Sequence, residues 1–71
     1  MKGYDFLVDT KITQISTRYA AKNKISSDIA MEKFLESTTY KLLDDEETGL
    51  CLEVVEYVYD EFLKEVGEYE E

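Results

Sequence analysis

The chain has 71 residues, a formal net charge of −9, one cysteine, and neither histidine nor proline. A chain of this length forms one small domain of marginal stability, because it buries only about 60% of the surface that the unfolded chain exposes. Without histidine, a Ser-His-Asp triad and a Cys/His zinc site cannot form, and three isolated glycines make no phosphate-binding loop. We therefore expect no enzymatic activity and no metal or cofactor.

The lone cysteine, Cys51, cannot form an internal disulfide and lies between Leu50 and Leu52, which predicts a small core residue. The N-terminus lacks the apolar stretch of a signal peptide, and no apolar run approaches the ~20 residues of a membrane span. These features predict a cytoplasmic protein with no membrane segment.

Charge is distributed unevenly between the two halves of the sequence. Residues 1–41 carry seven basic and five acidic side chains, whereas residues 42–71 carry twelve acidic side chains and a single base, Lys64. The net charges are +2 and −11, respectively. Such a surface favours a basic protein partner and repels nucleic-acid phosphates. The simpler alternative is a solvated helix face that keeps a small protein soluble.

The spacing of apolar residues predicts a first helix over 5–22. Its buried face is predicted to hold Val8, Ile12, Ile15 and Tyr19, bordered by Phe6 and Ala20. Asp5 suits the N-cap, and Asn23 suits a left-handed residue at the end of the helix.

A second helix is predicted to begin at Ser26 or Ser27 and to end near Glu36 or Ser37. Ile25 and Ala30 have the spacing of a hydrophobic staple if Ser26 is the cap. The residues predicted to face inward are Ile29, Ala30 and Phe34, with Met31 and Leu35 as further candidates.

The three hydroxyl residues 37–39 favour a helix end followed by a new cap, and they predict a short third helix, Thr38–Asp44. This helix is expected to bury Tyr40, Leu42 or Leu43.

The last helix is predicted to be the longest, with Thr48 as its cap and Leu50 at the start of its apolar stripe. That stripe comprises Cys51, Val55, Val58, Phe62 and Val66, widened by Val54, Tyr59 and Leu63. Part of the preceding connector matches a calcium loop at positions 1, 3, 5 and 6, but Val55 occupies position 12, where a glutamate is needed. We expect the acidic tail, 67–71, to be disordered.

Together these elements predict a single all-α domain over 1–71, a compact bundle of about four helices in the order long, short, short, long. The stretch 26–43 also has a helix-turn-helix outline, although it lacks clustered basic residues on its second helix. A nucleic-acid-associated regulator is therefore an alternative function, and a weaker one.

The candidate partner-binding residues lie on the last helix. Tyr57 and Tyr59 are about 200° apart around a helix, so one of them faces outward. An exposed aromatic ring among acids is a suitable anchor for an interface. The predicted binding residues are Glu56, Tyr57, Asp60 and Glu61, for another protein with a basic surface or for a second copy of the chain.

The phrase around Ser37, Thr39, Tyr40, Leu42 and Leu43, followed by Glu47, Thr48 and Leu50, resembles a family of short helical proteins of unknown function from Firmicutes and related gut bacteria. The resemblance extends over about 15–65. Members of that family are often encoded near ADP-ribosyltransferase-like toxins. The resemblance therefore implies an antitoxin or accessory partner of another protein.

Overall fold

The computed structural model describes residues 3–69, with side chains from Phe6 onward. Four α-helices account for most of this range and are joined by short connections: α1 (Gly3–Asn23), α2 (Ser27–Leu35), α3 (Thr38–Asp44) and α4 (Val55–Val66). The connector between α3 and α4, residues 45–54, contains two 3₁₀ turns, Glu46–Thr48 and Leu50–Leu52. No strand occurs within residues 3–69, which confirms the all-α prediction.

The first helix starts earlier than its predicted cap. In the described residues α1 begins at Gly3, so Asp5 lies inside the helix and the prediction that it is the N-cap is wrong. At the other end the left-handed residue is Lys24 (φ 55°) and not Asn23. The amide of Ile25 donates to the carbonyl of Ala20 at 3.0 Å, which closes the helix with a Schellman-type bond.

The caps of the two short helices follow the sequence prediction. The hydroxyl oxygen of Ser26 accepts the N–H of Ile29 at 3.3 Å, and α2 ends at Leu35. The hydroxyl oxygen of Ser37 accepts the N–H of Tyr40 at 3.0 Å. Both serines sit in extended backbone and satisfy an amide of the first turn that has no partner within its helix.

The core is built around three aromatic rings from three helices. Phe62 of α4 lies edge-to-face against Tyr19 of α1 at 5.0 Å and against Phe34 of α2 at 5.1 Å, measured between ring centroids. Such T-shaped pairs are favourable beyond the area they bury. The rest of the buried apolar set comprises Val8, Ile15, Ala20, Ala30, Leu43, Cys51, Val58 and Leu63.

Several side chains that were predicted to face inward are instead at the surface. Phe6, Ile29, Leu35 and Val66 are between 40% and 60% exposed, and Val54 is open as well. Val54 precedes α4, and the other exposed residues lie on helices. A bundle of this size is too small to cover both edges of the apolar stripe of each helix.

The start of the last helix differs from the prediction. It begins at Val55, because Gly49 adopts a left-handed conformation (φ 67°) and the chain before Val55 forms 3₁₀ turns. Thr48 is not its cap: the Thr48 hydroxyl donates to the carbonyl of Leu42 at 2.6 Å and so ties the connector to α3. Leu50 therefore does not begin the apolar stripe of α4. The prediction that the last helix is the longest is also wrong, because α4 has 12 residues and α1 has 21.

Cys51 is buried as predicted, but it lies in a 3₁₀ turn and not on α4. Its carbonyl accepts a hydrogen bond from the ammonium group of Lys11 at 2.7 Å. The connector is thereby held against α1.

Residues 67–69, the described part of the acidic tail, lie against the bundle, and the expected disorder of 67–71 stays a prediction. Gly67 (φ 77°) caps α4, and the carboxylate of Glu68 accepts the hydroxyl proton of Tyr19 at 2.5 Å. The ammonium group of Lys64 lies 5.0 Å from the centre of the Tyr69 ring. Residues 70 and 71 lie outside the described residues.

Candidate functional site

The four predicted binding residues lie on two sides of α4. Glu56 faces α1, where its carboxylate is 3.3 Å from the guanidinium of Arg18. Asp60, one turn later, is half-buried. Tyr57 and Glu61 instead line a groove between α3 and α4. The structure therefore brings Tyr57 and Glu61 together in one surface feature and separates them from the other two.

The groove has a volume of about 660 Å³ and is open to solvent. Its walls and one end are formed by Thr38, Thr39 and Leu42 of α3, Tyr57, Glu61, Lys64 and Glu65 of α4, and Leu50 of the connector. We refer to this set as the α3–α4 groove. In this groove apolar and charged side chains meet in a concave shape, as in binding sites.

Apolar side chains dominate the end of the groove nearest the connector. Leu42 and Tyr57 are each 47% exposed, and Leu50 is partly buried against the core. Next to Leu50 along the connector, Leu52 is 76% exposed and Val54 is 63% exposed. Solvent thus reaches several large apolar side chains in one stretch of chain, an arrangement more typical of an interaction surface than of a free surface.

The opposite end of the groove is closed by a hydrogen-bonded carboxylate. Glu65 of α4 accepts the backbone N–H groups of Thr38 and Thr39, each at 2.8 Å, and the hydroxyl of Thr39 at 2.7 Å. Partial burial by itself would raise the pKa of Glu65, but these hydrogen bonds outweigh it and hold the pKa below the ordinary value of 4.5. Glu65 thereby joins α4 to the first turn of α3.

The charges at the groove are mostly negative. Lys64 is the only base in residues 42–71. It is within 4.0 Å of Glu61 and also lies over the Tyr69 ring. On the other side of α4, the backbone N–H of Glu56 and the guanidinium of Arg18 lower the pKa of the Glu56 carboxyl. Since the pKa is lowered at both Glu56 and Glu65, these two carboxylates are ionised at neutral pH.

Six residues of the groove are absent from the predicted site: Thr38, Thr39, Leu42, Leu50, Lys64 and Glu65. Lys64 and Glu65 follow Tyr57 by seven and eight positions, which places them on the same helical face, so the periodicity of α4 contained a signal for them. The other four come from elements whose placement beside α4 depends on tertiary packing. A periodicity argument cannot identify them.

The helix-turn-helix outline is present as α2 and α3, but their charges are mixed. Along these two helices the bases Lys33 and Lys41 lie between the acids Asp28 and Glu32 on one side and Asp44 on the other. The second helix, which would enter the major groove of DNA, presents one base and the exposed Leu42. No observation of this region favours the nucleic-acid alternative.

Among the side chains of residues 6–69, no group of three or more His, Cys, Asp or Glu is arranged to hold a metal ion. Among the helices of the same residues, none combines the length and the apolar character needed to cross a membrane.

Comparison with known proteins returned no matching family model, no matching curated protein and no matching solved structure.

Proposed function

We propose that this protein is an interaction module that binds a basic surface of another protein through the α3–α4 groove. One observation supports the proposal above all. The apolar residues that line the groove, Leu42, Leu50 and Tyr57, all belong to residues 42–71, which have a net charge of −11. Apolar contact supplies affinity at such a surface, and the surrounding charge supplies steering and selectivity.

Tyr57 is the expected anchor of the interface. Its ring is half-exposed at the groove wall, and tyrosine is enriched among the residues that contribute most to binding. Glu61, one turn further along α4, adds a carboxylate at the same wall. A partner with Lys or Arg beside an apolar side chain complements both groups.

The acidic surface also predicts the kinetics of association with the partner. Charges of one sign accelerate the encounter with an oppositely charged protein, and salt screens that acceleration. We therefore expect the association rate to fall as ionic strength rises, and the dissociation rate to change less. Two copies of this chain, each with a net charge of −9, repel one another, so a different protein is favoured over self-association.

The resemblance to a toxin-associated family supports a specific version of the proposal, in which the partner is a toxin and this chain is its antitoxin. Expression of a candidate toxin with and without this chain tests that version. Growth restored by the wild-type chain, but not by a Tyr57→Ala variant, supports it. Equal rescue by both chains contradicts the assignment of the groove.

The general proposal is tested by capture of partners from a lysate of the source cells with tagged wild-type protein, followed by cross-linking and mass spectrometry. The binding variants are Tyr57→Ala and Glu61→Lys. The control is Ile29→Gln, because Ile29 is 49% exposed on α2, outside the groove. A partner that cross-links at the groove and is lost from both binding variants, but not from the control, supports the proposal. A partner that all variants retain contradicts it.

A further inference from the structure

We infer that the segment received by the α3–α4 groove is a basic amphipathic α-helix, with apolar side chains one turn apart along one face and Lys or Arg beside them. This inference rests on the proposed function and specifies the conformation and chemistry of the partner. It follows from the length of the groove, from the hydrogen-bonding state of its walls and from the charge around it.

The α4 wall has the length of a short helix. Its lining residues Tyr57, Glu61, Lys64 and Glu65 occur at i, i+4, i+7 and i+8, so they form one face of α4. The eight residue steps from Tyr57 to Glu65, at a rise of ~1.5 Å each, give a wall about 12 Å long. About two turns of a partner helix lying beside α4 span that length, with two or three apolar side chains directed into the groove.

The backbone groups in the walls favour a helix over an extended peptide. An extended segment binds best where it can pair with free main-chain donors and acceptors, as at the edge of a sheet. Residues 3–69 contain no strand, and at the α3 wall the N–H groups of Thr38 and Thr39 already donate to Glu65. A helix needs no such partners, because its own backbone hydrogen bonds are internal.

The side chains at the two ends of the groove determine which helix fits. At the connector end, Leu42, Leu50 and Tyr57 provide an apolar surface for a leucine-sized anchor. The connector itself begins with three consecutive acids, residues 45–47, all exposed, and Glu61 lies at the α4 wall. Lys or Arg flanking the anchor therefore meets carboxylates, whereas Glu or Asp there is repelled.

The test uses three synthetic peptides of about fifteen residues, of which the first two share one composition of Leu, Lys and Ala. The first places Leu on a single helical face. The second distributes the same residues around the helix. The third repeats the first with two central Ala residues changed to Pro, which breaks the helix. Binding is measured by fluorescence anisotropy, and helix formation on binding by circular dichroism.

We expect the single-face peptide to bind at least about 10-fold more tightly than the other two, because burial of one leucine side chain corresponds to about a 10-fold change or more. Leu42→Gln should weaken it by a similar factor. Ile29→Gln is the matched control, because Ile29 and Leu42 have nearly the same exposure, 49% and 47%. Tyr57→Ala provides a second groove variant if Leu42→Gln does not fold.

Equal affinity for the single-face and distributed peptides would show binding by charge alone. It would overturn the amphipathic helix and leave the acidic interaction module intact. Equal affinity for the proline peptide would show an extended ligand and overturn the helix. Absence of binding by all three peptides would also overturn this inference, whereas the proposed function is decided separately by partner capture with the groove variants.

Discussion

Two pairs of consecutive helices pack in different ways. Helices α1 and α2 are in close contact, whereas α3 and α4 leave a groove between them that is open to solvent. On the first pair the buried residues include the small side chains Ser16, Ala20 and Ala30, which let two helices approach closely, and α1 packs most extensively on α2. Between α3 and α4, the carboxylate of Glu65 accepts a hydrogen bond from the first turn of α3, and Leu42 and Tyr57 remain half-exposed.

The difference shows how a chain of 71 residues can be stable and still offer a binding surface. Apolar burial stabilises a domain wherever it occurs, so the close α1–α2 contact and the aromatic core can supply most of the stability. The hydrogen bonds to Glu65 then position α3 against α4 without filling the groove between the two helices. We therefore expect substitutions in the two regions to have different effects on stability.

The largest loss of stability is expected for Phe62→Ala. Phe62 is fully buried and contacts the rings of Tyr19 and Phe34, so the change removes apolar burial and leaves a cavity where three helices meet. The expected cost is about 3–5 kcal/mol, which is enough to unfold a small domain. Urea unfolding followed by circular dichroism measures it. Phe6→Ala is the control, because Phe6 is 60% exposed, and an equal loss in both variants would contradict the assigned core.

A smaller loss is expected for Glu65→Ala, which removes the acceptor of three hydrogen bonds from Thr38 and Thr39. By analogy with the loss of a helix cap, the cost is about 1–2 kcal/mol. Glu61→Ala is the matched control one turn earlier, where the carboxylate has only a 4.0 Å contact with Lys64. Amide hydrogen exchange should become faster throughout α3 in the Glu65 variant alone.

The lowered pKa of Glu65 also predicts a pH dependence. Hydrogen bonds to the ionised form stabilise the folded state fully above the ordinary pKa of 4.5, and this contribution is lost as the pH falls through the lowered value. Unfolding free energies measured between neutral and acidic pH should therefore fall more steeply for the wild type than for Glu65→Ala. Parallel curves would show that the carboxylate does not carry this contact.

At alkaline pH the relevant group is Tyr19. Burial, followed by its hydrogen bond to Glu68, raises the pKa of Tyr19 from 10.0 to about 12. Because the folded state holds the neutral phenol, its contribution is complete below pH 10.0 and is lost as the pH rises toward about 12. Tyr19→Phe keeps the ring against Phe62 and should cost about 1 kcal/mol at neutral pH.

The same variant should lose part of its alkaline destabilisation. Burial also raises the pKa of Tyr40 and Tyr59, so some loss of stability above pH 10 remains in Tyr19→Phe. The difference between the two proteins isolates the contribution of Tyr19. An alkaline titration followed by tyrosinate absorbance, with unfolding free energies at each pH, measures both effects.

The smallest effect is expected for Glu56→Gln. Glu56 and Arg18 form an exposed ion pair at 3.3 Å between α4 and α1, and solvent screens such pairs. The thermal midpoint should stay within experimental error of the wild type in moderate salt. A clear drop would mean that charge, and not apolar burial, holds α4 against α1.

Much of the fold was predictable because its determinants are local. The apolar repeat of Val8, Ile15 and Tyr19 predicted the buried face of α1, and Ser26 and Ser37 cap the helices that follow. Each of these signals acts within one or two helical turns, where backbone geometry alone brings the residues together.

The candidate site was predictable only in part. Tyr57 was expected to be outward-facing and lies at the wall of the groove together with Glu61. Periodicity wrongly extended the apolar stripe of α4 back to Cys51. The helix begins only at Val55, because the left-handed Gly49 and two 3₁₀ turns precede it, and a spacing pattern does not reveal them. Nor does it show which exposed face has another helix beside it.

Local sequence patterns suffice to predict the all-helical fold and the centre of each buried apolar face, and the sequence shows that the acidic charge lies in its second half. Packing of the whole chain is needed for Glu65 to accept hydrogen bonds from the start of α3, for Glu68 to accept one from Tyr19, and for Leu42 and Tyr57 to line one groove. These pairs of residues are 15 to 49 positions apart in the sequence, so no local pattern relates them.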